Sequence, residues 1–120
     1  PVNDFRDLRV WQRAMALSRV IYALAERLPF FERHRLADQM RRAVSSIGAN
    51  IAEGNGRRYR REYVRFLNTA YASAKELQHH LLMAGHVGLL SREEVEEAFA
   101  LCTEVARMLT GLTRRLTEGR

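Results

Sequence analysis

Apolar residues recur along this chain at alternating spacings of four and three, in four separate runs. The first is Val10, Ala14, Leu17, Ile21, Leu24 and Leu28, and the second Leu36, Met40, Ala43, Val44, Ile47 and Ile51. Tyr63, Leu67, Ala70, Ala74, Leu77, Leu81 and Ala84 form the third; Val95, Ala98, Cys102, Val105, Leu109, Leu112 and Leu116 the fourth. A 3.6-residue turn gathers each run onto one face, which predicts four amphipathic helices. The punctuation agrees. Asp7 is the expected N-cap of the first helix and Pro29 its stop. Gly54 or Gly56 is expected to end the second in a left-handed conformation, and the third should end near Gly85 to Gly88. Ser91 opens the fourth, with Glu94 as its capping-box partner. The expected spans are about 7–28, 32–54, 58–87 and 91–117, within a single domain of residues 1–120. No strand pattern competes. Four such helices with short connections predict an all-α, antiparallel up-down-up-down four-helix bundle.

The stripes leave apolar residues over. Trp11, Met15 and Tyr22 run beside the first, Val64 and Tyr71 beside the third, and Leu101 and Met108 beside the fourth. One reading is a broad core-facing surface with scattered exposed groups. The other is a subunit interface built from these seven residues, since adjacent apolar stripes mark association surfaces.

Charge changes the picture more than composition does. Between Arg33 and Arg65 there are nine arginines and three acids, an excess of six, and the whole chain carries a formal net charge of +6. The rest of the sequence therefore balances, and the positive charge is concentrated around the second helix and the start of the third. Such a concentration points to a polyanionic partner. Arg35, Arg41, Arg42, Arg57, Arg58, Arg60, Arg61 and Arg65 are the candidate nucleic-acid-binding residues. Tyr59 and Tyr63 interleave with them as aromatics able to stack on an unpaired base. Three acids cannot neutralise nine arginines by pairing. No recognition helix with base-reading Asn or Gln at its tip is present, so phosphate contact without sequence readout is expected.

Catalytic chemistry finds little to work with. Gly54-Asn55-Gly56 before arginines lacks phosphate-loop spacing and a preceding strand. Ser45, Ser46 and Ser73 sit in helical pattern with no base nearby, and Cys102 falls on an apolar stripe as a small hydrophobe. His79 and His86 share a helix face, but Glu76 and His79 make a single Glu-x-x-His pair where a bundle metal site uses two. The four histidines read as solvated surface groups. No enzyme activity, metal or cofactor is expected. Ser46, Asn50, Glu53, Ser73 and Glu76 recur beside the stripes as a candidate internal hydrogen-bond network, with a ligand contact at the bundle end as the alternative. One unpaired cysteine suits a reducing cytoplasm. No run reaches the roughly 18 apolar residues of a membrane span, and no secretory signal is evident.

Three segments carry a family likeness. They are Phe5-Arg6-Asp7-Leu8-Arg9-Val10-Trp11-Gln12; Gln39-Met40-Arg41-Arg42-Ala43 with Ser45-Ser46-Ile47-Gly48-Ala49-Asn50-Ile51-Ala52-Glu53-Gly54; and Phe66-Leu67-Asn68-Thr69-Ala70 with Ser73-Ala74-Lys75-Glu76-Leu77. Together they resemble the 23S rRNA intervening-sequence protein family of bacterial four-helix bundle proteins, which includes the Avd accessory proteins of diversity-generating retroelements. The resemblance implies a ring-like homopentamer without established enzymatic activity. For the Avd branch it implies binding to a reverse transcriptase and to nucleic acid through a basic surface. No residue string separates the branches. The expected function is a non-enzymatic, cytoplasmic, homo-oligomeric bundle that binds RNA or DNA electrostatically, as an accessory subunit of a retroelement reverse transcriptase. A scaffold docking an acidic protein is the first alternative, and an rRNA intervening-sequence protein with no binding role the second.

Overall fold

In a computed structural model of the chain, residues 4–32 and 34–118 are described. Four helices account for most of them: α1 Arg9–Arg27, α2 Leu36–Asn55, α3 Arg60–His86 and α4 Arg92–Glu118, with no strand among the described residues. Each helix packs on its neighbours in sequence, and α1 meets α4 to close the set, while α1–α3 and α2–α4 do not approach. The α2–α3 seam is the most extensive and α1–α4 the slimmest. At about 1.5 Å per residue, a 27-residue helix runs most of the 48 Å long axis of the molecule.

The core is built from the periodic residues. Leu17, Ile21, Met40, Ile47, Ile51, Leu67, Leu77, Leu81 and Leu109 are fully buried, as is Cys102. Leu36, Tyr63, Leu112 and Leu116 remain partly open at the ends of their stripes. No described helix is long and apolar enough to cross a membrane.

The helix ends show where local chemistry departs from expectation. Asp7 does not cap α1. Phe5–Asp7 instead form a 3₁₀ turn capped by Asp4, whose carboxylate accepts from the Arg6 amide at 2.9 Å. Hydrogen bonds from the Arg6 side chain and amide hold the Asp4 carboxyl at about 2, below its ordinary value. Leu8 precedes α1 without a side-chain cap. The Phe5 ring meets Trp11 edge-on at 5.3 Å and ties the turn to α1. After Pro29, a second 3₁₀ turn at Phe30–Glu32 delays α2 until Leu36, past the expected start near 32.

The end of α2 is corrected as well. Gly56 follows the helix at φ −84, so neither Gly54 nor Gly56 is left-handed. Gly54 lies inside α2 for a different reason. A Cβ there would sit 2.9 Å from Phe66 Cβ and 3.0 Å from Tyr63 Cδ1, so the missing side chain lets α3 cross close to α2. Among the described residues the left-handed glycine is Gly88, at φ +80, where the Leu89 amide donates back to the Ala84 carbonyl at 2.8 Å and closes α3. Ser91 and Glu94 form the expected capping box. The Glu94 amide donates to Ser91 Oγ at 3.1 Å and the Ser91 amide to Glu94 Oε1 at 2.8 Å. Glu94 also pairs with Arg27, joining the last turn of α1 to the first of α4.

Candidate nucleic-acid interface

The connection from α2 to α3 is Gly56 to Tyr59, and it carries Arg57 and Arg58 into solvent just before Arg60 and Arg61 open α3. Arg65 follows one turn later on the same exposed side. None of these five arginines has a carboxylate partner among the described residues. Arg57 lies over the Phe66 ring, 4.7 Å from its centre, which directs its guanidinium along the helix surface. The two tyrosines of this segment are not equivalent. Tyr63 is half-buried, its hydroxyl donates to Asn55 Oδ1 at 3.1 Å, and burial pushes its phenol above the ordinary value. Tyr59 holds an extended backbone at φ −110, ψ 141, and its residue is 61% exposed.

Tyr59, Arg60, Arg61, Val64 and Arg65 form one side of a cleft of about 490 Å³, and Leu116 and Thr117 of α4 form the other. The last turns of α4 therefore stand beside the first turns of α3. Arg35, Arg41 and Arg42 lie elsewhere. Arg41 sits 5.8 Å from the centre of the Tyr22 ring and Arg42 pairs with Asp38 at 3.3 Å. Asn55 lies thirteen positions after Arg42 along α2, about 20 Å of rise. The eight candidate arginines thus divide into two groups, five around the α2–α3 turn and three near the start of α2. Arg33 lies outside the described residues.

The fold adds arginines that the sequence reading left out. Arg9 and Arg13 of α1 face Arg107 and Arg115 of α4 across a groove of about 640 Å³, with Asp7 and Glu104 beside them. Arg13 donates to Glu104 Oε1 at 2.7 Å, while its Nε is buried without a partner among the described residues. Counting charge along the chain hides this, because α4 holds six acids against four arginines. In the folded helix Glu93, Glu94, Glu96 and Glu97 crowd the first turns with Arg92, Arg107 lies midway, and Arg114 and Arg115 lie in the last turns with Glu118. That separation along α4 was the available signal, and it reads equally as helix-dipole complementation.

The expected polar network is smaller than its sequence set. Ser46 and Ser73 hydroxyls meet across the α2–α3 seam at 2.8 Å, and Asn50 Nδ2 donates to the Ser46 carbonyl at 2.8 Å and its Oγ at 3.1 Å. Glu53 and Glu76 do not join it. Glu53 is exposed, with no hydrogen bond or ion pair among the described residues. Glu76 turns to His80, one helical turn on, at 3.1 Å. His80 is buried, which corrects its reading as a solvated histidine, and its partner is Glu76. Gln78, also buried and not singled out by the sequence, donates to Thr103 Oγ1 at 2.8 Å and to the Phe99 carbonyl at 3.4 Å. No three His, Cys, Asp or Glu side chains gather into a metal-sized group among the described residues.

The model of the 23S rRNA-intervening sequence protein family matches residues 6–111, from the first 3₁₀ turn through most of α4. The chain belongs to that family. It is also similar in fold to a solved structure, TM-score 0.79 at 24% identity, covering 87% of this chain and 97% of the other. That structure, at 1.70 Å, is of a protein of unknown function from the S23 ribosomal protein family of Bacteroides thetaiotaomicron VPI-5482. A comparison with curated proteins finds no match.

In this family member the seven candidate interface residues fall into two kinds. Trp11, Met15, Leu101 and Met108 are partly buried against the core, and Met15 Cε and Trp11 Nε1 lie over Gly48, where a Cβ would meet them at 2.7 and 3.8 Å. Val64 is half-buried in the α3–α4 cleft. Tyr22 and Tyr71 are exposed. Phe30 and Phe31, in the α1–α2 connection, and Leu82, Met83 and Val87, near the end of α3, are exposed apolar groups outside the sequence set.

Proposed function

We propose that this chain is a non-enzymatic, cytoplasmic bundle protein that binds nucleic acid electrostatically through the end of the bundle that carries the α2–α3 turn. One observation carries the reading: Arg57, Arg58, Arg60, Arg61 and Arg65 project from that end without a carboxylate partner among the described residues. Arginines left unpaired in solvent are available to phosphate oxygens, which guanidinium binds bidentately. Arg115 and Arg107 extend the positive field along α4.

The finer form of the proposal is an antiparallel bundle assembled as a homopentamer that serves a retroelement reverse transcriptase as an accessory subunit. The direction of the helices is supported by Arg27 meeting Glu94 and Arg13 meeting Glu104, which pair later residues of α1 with earlier ones of α4. The pentamer and the reverse transcriptase rest on the family resemblance. In a pentamer even two productive arginines per subunit present about ten charges to one nucleic acid.

The test is binding of labelled RNA and DNA of unrelated sequences across a salt series. With a slope of about −0.9 per phosphate neutralised on duplex, or about −0.7 on a single strand, affinity should fall by several orders of magnitude between low and moderate salt, whatever the sequence. Reversing Arg58 and Arg61 to Glu should abolish binding and leave helicity and oligomeric mass unchanged. Tight binding that ignores salt, or survives the double reversal, removes the α2–α3 end as the site. Absence of any nucleic-acid binding at low salt favours the scaffold for an acidic protein.

A further inference from the structure

The cleft between the start of α3 and the end of α4 combines features that phosphate contact alone does not require. Tyr59 sits at its mouth, most of its surface in solvent, with Arg58 before it and Arg60 after it in the chain. Val64 and Leu116 give the cleft apolar sides, one from each helix, and no carboxylate lines it. Arg60, Arg61 and Arg65 line the same cleft. The other aromatics nearby are engaged: Tyr63 with Asn55, and Phe66 beneath Arg57. Tyr59 is 61% exposed and makes no ring contact among the described residues.

A flat apolar ring at the mouth of an acid-free, arginine-lined cleft suits a flat, neutral, aromatic group carried on an anionic backbone. That is an unpaired nucleobase. Single-stranded nucleic acids are held in this way, by aromatic stacking with a positively charged track beside it, and the stacking tolerates any base because every base has a π-face. A duplex hides its base faces and must pay for unpairing before one can enter. Resting on the nucleic-acid reading above, we infer that the chain prefers single-stranded nucleic acid, with an unpaired base stacked on Tyr59 in the α3–α4 cleft. Arg60, Arg61 and Arg65 then hold the flanking phosphates.

The experiment compares three probes of equal length by fluorescence anisotropy at fixed low salt: oligothymidylate, the same strand with abasic sites, and a duplex. Wild-type protein should bind oligothymidylate more tightly than either of the others. Tyr59→Ala should weaken oligothymidylate binding by about tenfold or more, leave the abasic strand and the duplex within about twofold, and preserve helicity. Tyr59→Phe and Tyr59→Trp should bind like wild type, since stacking needs the ring and not the hydroxyl. Equal loss on all three probes in Tyr59→Ala, or no loss on oligothymidylate, overturns the stacking role while nucleic-acid binding stands. If no probe binds wild type, the underlying functional reading fails instead.

Discussion

The hydroxyl of Ser46 on α2 lies 2.8 Å from that of Ser73 on α3, and Asn50 donates to both the carbonyl and the hydroxyl of Ser46. This is a polar bridge across the most extensive seam of the bundle. Removing one member leaves a partner short of a hydrogen bond in a place with little water. Ser73→Ala and Asn50→Ala should therefore each lower stability by about 1–2 kcal/mol in urea unfolding. Glu53→Ala should stay within about 0.5 kcal/mol, because its side chain is exposed and unpaired among the described residues. A large effect at Glu53 would place it back in the network.

Gly54 and Gly56 should answer very differently to the same substitution. Gly54→Ala forces a methyl to within 2.9 Å of the Phe66 Cβ, an atom next to the backbone that cannot swing away, so α2 and α3 must separate. A loss of about 1–3 kcal/mol is expected. At Gly56 the added methyl lies 3.6 Å from the Glu53 carbonyl oxygen, and φ −84 suits any residue. Gly56→Ala should be neutral or stabilise by about 0.4–1 kcal/mol, through fewer unfolded conformations. Thermal denaturation of the two variants side by side decides it.

Cys102 should be inert. Burial among α3 and α4 pushes its thiol from 9.0 up to about 12, with the charge of Lys75 acting the other way, and its Sγ donates to the Ala74 carbonyl at 3.3 Å. A thiol reagent at mildly alkaline pH should fail to modify the native protein and react fully once it is denatured. The stability consequence follows from proton counting. Above pH 9.0 the unfolded thiol ionises while the native one stays protonated, so the unfolded state binds fewer protons and stability falls as pH rises towards about 12. Cys102→Val should remove that part of the alkaline decline. An unchanged slope in urea melts between mildly and strongly alkaline pH would contradict the assignment.

Oligomerisation has a sharper test than the sequence pattern offered. Light scattering should give about five times the 13.9 kDa subunit mass for a pentamer. Tyr71 and Tyr22 are exposed, so Tyr71→Glu and Tyr22→Glu can break an interface without disturbing the core. Their circular dichroism should match wild type while the mass drops. Trp11→Glu should cost helicity as well, because Trp11 packs on the core and against Phe5. A monomeric wild type at micromolar concentration would remove the oligomer from the proposal.

The sequence by itself determined the number of helices, their stripes and most of the core. Each periodic position from Val10 to Leu109 needs only local geometry, 3.6 residues per turn, to know which side it faces. The Ser91–Glu94 cap was legible for the same reason, since both partners lie within one turn. What crosses from helix to helix was not. The close approach at Gly54, the meeting of Ser46 with Ser73, and the tie from Gln78 to Thr103 depend on rotamers and on which faces meet. Neither follows from spacing along one helix. Charge shows the difference most plainly. Summed along the chain, the six acids of α4 outnumber its four arginines. Folding places its acidic end far from the α2–α3 turn, brings Leu116 and Thr117 beside Arg60 and Arg61, and faces Arg115 towards Arg9 and Arg13. Coulomb energy depends on distance in space, so the sequence could place the arginines of the α2–α3 turn, and only the tertiary structure decided that those of α1 and α4 share a groove.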